Sequence, residues 1–119
     1  MAEVAIVHAD TEGRIRSWNA GAEALFGHPA AEAVGKTLDL IVPEPYREAH
    51  WRGFRAAVAA RKTSQDEPFV LPILCRDGVA RPFAGRLVFI RDAYDRAVGA
   101  MGVFVADEPS AAATELYRL

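Results

Sequence analysis

A single cysteine, Cys75, in 119 residues excludes an internal disulfide framework and any multi-cysteine zinc site, and a lone thiol fits a reducing compartment. Excess basic charge is missing too. Fourteen Lys and Arg against sixteen Asp and Glu leave a net charge of −2, without the electrostatic footprint of a nucleic-acid binder. No apolar run approaches the roughly 18 residues of a membrane-spanning helix, and the opening MAEVAIVHAD has neither the basic start nor the long apolar stretch of a signal peptide. There is no internal repeat, low-complexity tract or linker. No G-x-S-x-G, P-loop, H-E-x-x-H or G-x-G-x-x-G occurs, and the carboxylates are scattered over turns and polar helix faces, so no catalytic residue can be named and the chain is not expected to be an enzyme. His8 and His28 stand at no metal-ligand spacing with another histidine or with Cys75. These absences leave a soluble, cytoplasmic protein with no nucleic-acid or membrane partner.

What is present suffices for a core. Hydrophobic residues make up 51% and charged residues 25% of the chain, which is the balance of a folded domain, and the length fits one domain spanning 1–119. Glu3 to His8 (EVAIVH) is rich in β-branched residues and meets Ile15 to Asn19 across Asp10-Thr11-Glu12-Gly13, a hairpin in which Gly13 supplies a positive φ. Asn19 caps a short helix carrying Ala22, Leu25 and Phe26, and Gly27 ends it. A second helical turn spans Pro29 to Val34. Leu38, Ile41 and Val42 then point inward before Pro43 and Pro45 interrupt. The one long helical pattern runs from about Tyr46 to Lys62, with positions 50, 54, 57 and 58 on one side and Trp51 beside them; Arg47, Glu48, Arg52, Arg55 and Arg61 occupy the remainder. Three strands follow, PFVLPILCRDG, VARPFAGRLVFIRDA and AVGAMGVFVADE, with turns at Asp77-Gly78 and around Asp92 to Arg96. Pro72 and Pro82 belong at edges, bulges or strand starts. The tail PSAAATELYRL is compatible with a helix leading into a partner. The fold class is α+β: a five-stranded antiparallel sheet with short helices and one longer helix packed on one face.

The stretch GRIRSWNAGAEALFGHPAAEAVGKTLDLIVPEPYREAH closely resembles the first half of a PAS domain, and LCRDGVARPFAGRLVFIRD with VGAMGVFVAD resembles its last three strands. The resemblance spans about residues 3 to 107, leaving 108–119 as a tail. Within that family, PEPYREAHWRGF is most similar to the haem-binding PAS domains of oxygen-sensing histidine kinases of the FixL group. That resemblance implies haem b held through His50 as the proximal iron ligand. Tyr46, Trp51 and Phe54 lie on the same helix, and Phe69, Leu71, Ile73, Leu87 and Phe89 supply an apolar distal side. It also implies sensing of a diatomic gas (CO, NO or O2), a homodimer, and a separate effector, kinase or regulator, in trans. The chain departs from those sensors at two positions: Phe69 stands where they place the arginine that hydrogen-bonds bound oxygen, and Ala56 where they place an arginine near a haem propionate, with Arg55 or Arg61 as substitutes. Loss of the distal donor favours CO or NO over O2.

Ordinary readings stand beside these. Trp51 and Phe54 serve a core as well as a cofactor pocket, Cys75 reads as a small buried hydrophobe, and Met101 on the last strand either packs in the core or approaches the iron. The alternative function is a haem-free PAS domain acting in dimerisation or protein interaction, or holding a small apolar metabolite.

Overall fold

A computed structural model describes residues 3–60 and 68–106. Arg61 and Lys62 at the expected end of the long helix, the rest of the connection to the next strand up to residue 67, and the C-terminal tail lie outside the described residues. The chain forms strands β1 (Ala5–Ala9) and β2 (Ile15–Trp18), helices α1 (Ala20–Phe26) and α2 (Ala30–Ala33), 3-10 turns at Leu38–Leu40 and Glu44–Tyr46, helix α3 (Arg47–Ala59), and strands β3 (Phe69–Leu74), β4 (Ala80–Arg91) and β5 (Ala97–Ala106). All neighbours pair antiparallel in the order β2-β1-β5-β4-β3. The last strand is therefore the centre of the sheet, tying the N-terminal hairpin to the C-terminal one.

Each hairpin is closed by an aspartate whose Oδ1 accepts backbone N–H groups two or four residues on, the Asx geometry that lets a short polar side chain mimic a turn. Asp10 accepts from Glu12 and Arg14, Asp77 from Val79, and Asp92 from Tyr94 and Arg96. The Arg14 N–H holds the Asp10 carboxyl below its ordinary range, the Arg81 guanidinium lowers Asp77 to about 2, and the Arg96 N–H lowers Asp92. Gly13 and Gly78 supply the positive φ values of 82° and 85° that these turns need.

Asn19 does more than cap α1. Its Oδ1 accepts the N–H of Ala22 at 2.9 Å and also that of Ile6 at 2.8 Å, while Nδ2 donates to the Val4 carbonyl at 2.9 Å. One side chain thus joins the start of β1 to the first turn of α1. Gly21 is required there, because a Cβ on it would come within 1.7 Å of the Val4 carbonyl oxygen.

Beneath α1 and α2 the core is a cluster of rings. Phe26, fully buried, meets Phe83 edge-on at 4.9 Å, Trp18 at 5.7 Å and Phe104 at 5.8 Å, separations at which edge-to-face pairing is favourable. Trp18 Nε1 donates to the His28 carbonyl at 2.8 Å, so the one polar ring atom among these four rings is paired. Pro72 and Pro82 face each other across β3 and β4. Leu74 N–H points away from β4, to the Ile41 carbonyl at 3.0 Å, and two residues earlier Pro72 N points the same way; β3 is an edge strand, and among the described residues β4 pairs with β5 from Phe83 onward. Among the described residues, neither proline removes a ladder hydrogen bond.

Truncating the ring at the centre of this cluster, Phe26→Ala, is expected to cost about 3–5 kcal/mol in urea denaturation. Val88→Ala on the opposite, 38% exposed face of β4 is expected to cost under about 1 kcal/mol. Equal losses would contradict the assignment of the core to the helix-covered face.

Candidate functional site

Helix α3 is fixed to the body of the domain at both ends. Near its start, the Arg47 guanidinium donates to the carbonyls of Val42 at 3.0 Å and Asp39 at 3.3 Å, and Trp51 Nε1 donates to Asp39 Oδ1 at 2.7 Å. The Trp51 ring lies against Gly13, where an added Cβ would come within 2.2 Å of it. At the far end, Arg91 of β4 donates to the carbonyls of Ala60 at 2.7 Å and Ala57 at 3.4 Å, placing a cation where the last helical carbonyls lack partners and the helix dipole is negative.

Between these two ties, His50 and Phe54, one helical turn apart, border a cavity of about 80 Å³ enclosed by α3, the Leu38–Val42 segment and the inner face of the sheet. The wall contributed by β1 is Val7 and Ala9, by β3 Leu71 and Ile73, by β4 Leu87, and by β5 Ala100, Gly102 and Phe104. Leu87 is also 36% exposed, so the cavity reaches the surface beside it. Among the described residues the wall is apolar except for His50. Its Nδ1 is buried with no hydrogen-bond partner among the described residues, and its ring contacts Trp51 at 4.8 Å and Phe54 at 6.0 Å between centroids. Burial holds the imidazole below its ordinary proton affinity, with Asp39 pulling weakly the other way. The group is a neutral imidazole near pH 7.

The structure gathers five of the sequence-derived pocket residues, His50, Phe54, Leu71, Ile73 and Leu87, on this wall and places the other four elsewhere. Trp51 is turned to Asp39 and Gly13. Phe69 packs against Phe104 at 6.0 Å, extending the ring cluster. Phe89 meets Phe54 at 5.6 Å and supports that ring from outside the wall. Tyr46, half-buried, ends the 3-10 turn before α3 and does not border the cavity. Met101, for which both core packing and an approach to the iron were open, pairs with His8 and Val88 on the opposite face of the sheet, which removes the second reading. Cys75 is buried, 5% exposed, with Sγ near the Leu25 and Ile73 carbonyls. Sequence reasoning missed the walls from β1 and β5. The available signal was the small pair Ala100 and Gly102 at alternate positions of a central strand, since period two puts both on one face and their size leaves space above them.

His50 has the chemistry of a haem ligand, but the surroundings do not fit haem. Pockets that enclose drug-sized ligands measure about 300–1,000 Å³, so at about 80 Å³ the cavity as it stands has no room for a porphyrin. Among the described residues no Lys or Arg borders the cavity to receive propionates. Ala56 and Arg55 are both exposed, and Arg61 lies outside the described residues.

The family model described as PAS fold matches residues 2–106. No curated protein matches the sequence. Among solved structures, the PAS domain of a protein from Colwellia psychrerythraea is 25% identical, with a TM-score of 0.70 over 85% of this chain and 83% of that one. The PAS domain of the quorum-sensing receptor RpfR of Cronobacter turicensis, solved with BDSF and with C12:0, is 19% identical, with a TM-score of 0.71 over 91% of this chain and 97% of that one. A light-oxygen-voltage domain studied with a flavin analogue is 19% identical, with a TM-score of 0.65 over 87% of this chain and 78% of that one. These similarities reach the level of the PAS fold and not that of the FixL-type haem sensors.

Two outcomes follow from the site. Haem added to the purified protein is expected to give no Soret band beyond that of free haem; a bound-haem spectrum abolished in His50→Ala would restore His50 as an iron ligand. Burial lowers the proton affinity of both His50 and His28 from the ordinary 6.5, so their contribution to stability is fully present above that value and is lost as pH falls below it. The urea midpoint is expected to drop between pH 7.5 and 5, less steeply in His50→Asn, with the remaining slope including the share of His28. Identical profiles for wild type and variant would contradict a buried neutral His50.

Proposed function

The chain belongs to the PAS-fold family, and from that premise we propose that it is a haem-free sensory module that takes a small apolar ligand between α3 and the sheet. It acts by binding rather than by catalysis. The observation that carries this reading is the cavity itself: an almost wholly apolar wall, with its opening at Leu87, beneath a helix held by side chains from both ends of the site. Apolar cavities of about 150 Å³ stay dry and take up benzene or xenon. One of about 80 Å³ suits a smaller guest, or a larger one once Leu87 and Leu38 swing aside. The relatives with bound BDSF and C12:0 support an apolar guest over a macrocycle.

A bound ligand changes output only if it prefers one of two packings. Here the element poised to differ is α3. Filling the space under His50 and Phe54 presses on a helix whose position depends on the Asp39 contacts at one end and Arg91 at the other. The shift passes to an effector, a kinase or regulator, with the module acting as a homodimer.

The test fills the cavity from the sheet. Ala100 is buried and on its wall, so Ala100→Leu occupies the space without disturbing a hydrogen bond. Saturating n-pentane, cyclopentane and benzene are expected to raise the wild-type Tm by a few degrees for at least one of the three, and to leave the variant unmoved. No shift with any of them, or equal shifts in wild type and variant, would contradict the reading.

A further inference from the structure

The proposed site contains one feature that an indifferent hydrophobic hole does not need. Among the described residues, His50 is the single polar side chain bordering the cavity, and its Nδ1 is buried without a partner. A polar atom in that position is costly to leave unsatisfied and is ordinarily paired. The neighbouring groups do not supply that pairing: Asp39 accepts from Trp51, and the remaining wall is aliphatic or aromatic. The cavity also discriminates by charge. Among the described residues it offers no cation to neutralise a carboxylate or phosphate, and the charged group that acts on His50 is itself a carboxylate, Asp39. An anion would be buried unpaired beside a like charge. An ammonium would meet an apolar wall with one neutral acceptor.

We propose that the ligand of this cavity is a small uncharged amphiphile, an apolar body of a few carbons carrying one hydroxyl, carbonyl or amide group that hydrogen-bonds to Nδ1 of His50. The imidazole nitrogen serves either sense of hydrogen bond according to its tautomer, so it accepts from a hydroxyl or donates to a carbonyl. This rests on the cavity being a ligand site and adds the class of ligand it selects.

The experiment uses three probes of similar size at pH 7.5: 1-butanol, n-pentane and butyrate. Binding is followed by the methyl NMR signals of Leu71, Ile73 and Leu87, and hydrogen bonding by the 15N signal of His50 Nδ1. Butanol is expected to shift both sets of signals in the wild type, and butyrate neither. In His50→Leu the ratio of butanol affinity to pentane affinity is expected to fall about tenfold. His50→Asn, which keeps a polar atom near the Nδ1 position, is expected to retain most of that ratio. If pentane and butanol move the methyl signals but the ratio is unchanged in His50→Leu and Nδ1 does not respond, the cavity stands and the selection through His50 is overturned. Butyrate binding as well as butanol overturns the preference for uncharged ligands. If no probe moves the methyl signals, the ligand site itself fails. The Nδ1 response in the wild type decides the matter even if a variant does not fold.

Discussion

The space on which the proposed function depends exists because β5, the central strand, turns small side chains toward α3. Ala100 and Gly102 alternate with Met101 and Val103, so the first pair faces the helix and the second the outer surface. Gly102 has a further reason to lack a side chain, since a Cβ there would come within 2.6 Å of the Phe104 ring. That ring belongs to the cluster that fills the other half of the inner face. One strand thus supplies both a packed region under α1 and α2 and an unfilled one under α3. Close-packed interiors do not tolerate such a gap without cost, which makes it a place where a guest molecule adds contacts that the protein alone lacks.

The two regions differ in mechanical character. Phe26, Trp18, Phe83 and Phe104 interlock edge to face, and Asn19 and Gly21 lock α1 onto β1. Helix α3 buries only Phe54, and hydrogen bonds to Asp39, Val42 and Arg91 add to its apolar packing. A few polar ties over a shallow apolar contact allow a helix to settle in more than one position, whereas the ring cluster forms a fixed base against which that movement can be read.

Much of this was legible in the chain because the signals are local. The Asp-containing turns, the Asn19 cap, the Gly27 terminus and the amphipathic run around His50 and Phe54 each depend on a few consecutive residues, and the structure follows them. The assignment of Phe69 and Phe89 to the pocket had the right face but not the right depth: both point inward, yet neighbouring rings take them up. Trp51 illustrates a different limit. Helical spacing places it beside the buried stripe, but only Asp39, twelve residues earlier and on a separate turn, decides that the indole turns away from the cavity. Met101 went unresolved because AVGAMGVFVA is apolar on both faces, so its sequence fixes no orientation without the register against β1 and β4.

Crystals of the protein pressurised with xenon give the most direct view of whether an apolar ligand space lies where the geometry puts it. Xenon density between Phe54, Leu71 and Ala100, absent from Ala100→Leu crystals under the same pressure, is the predicted result. Density confined to the outer sheet face, or none in the wild type, would contradict the existence of a ligand-accepting cavity beneath α3.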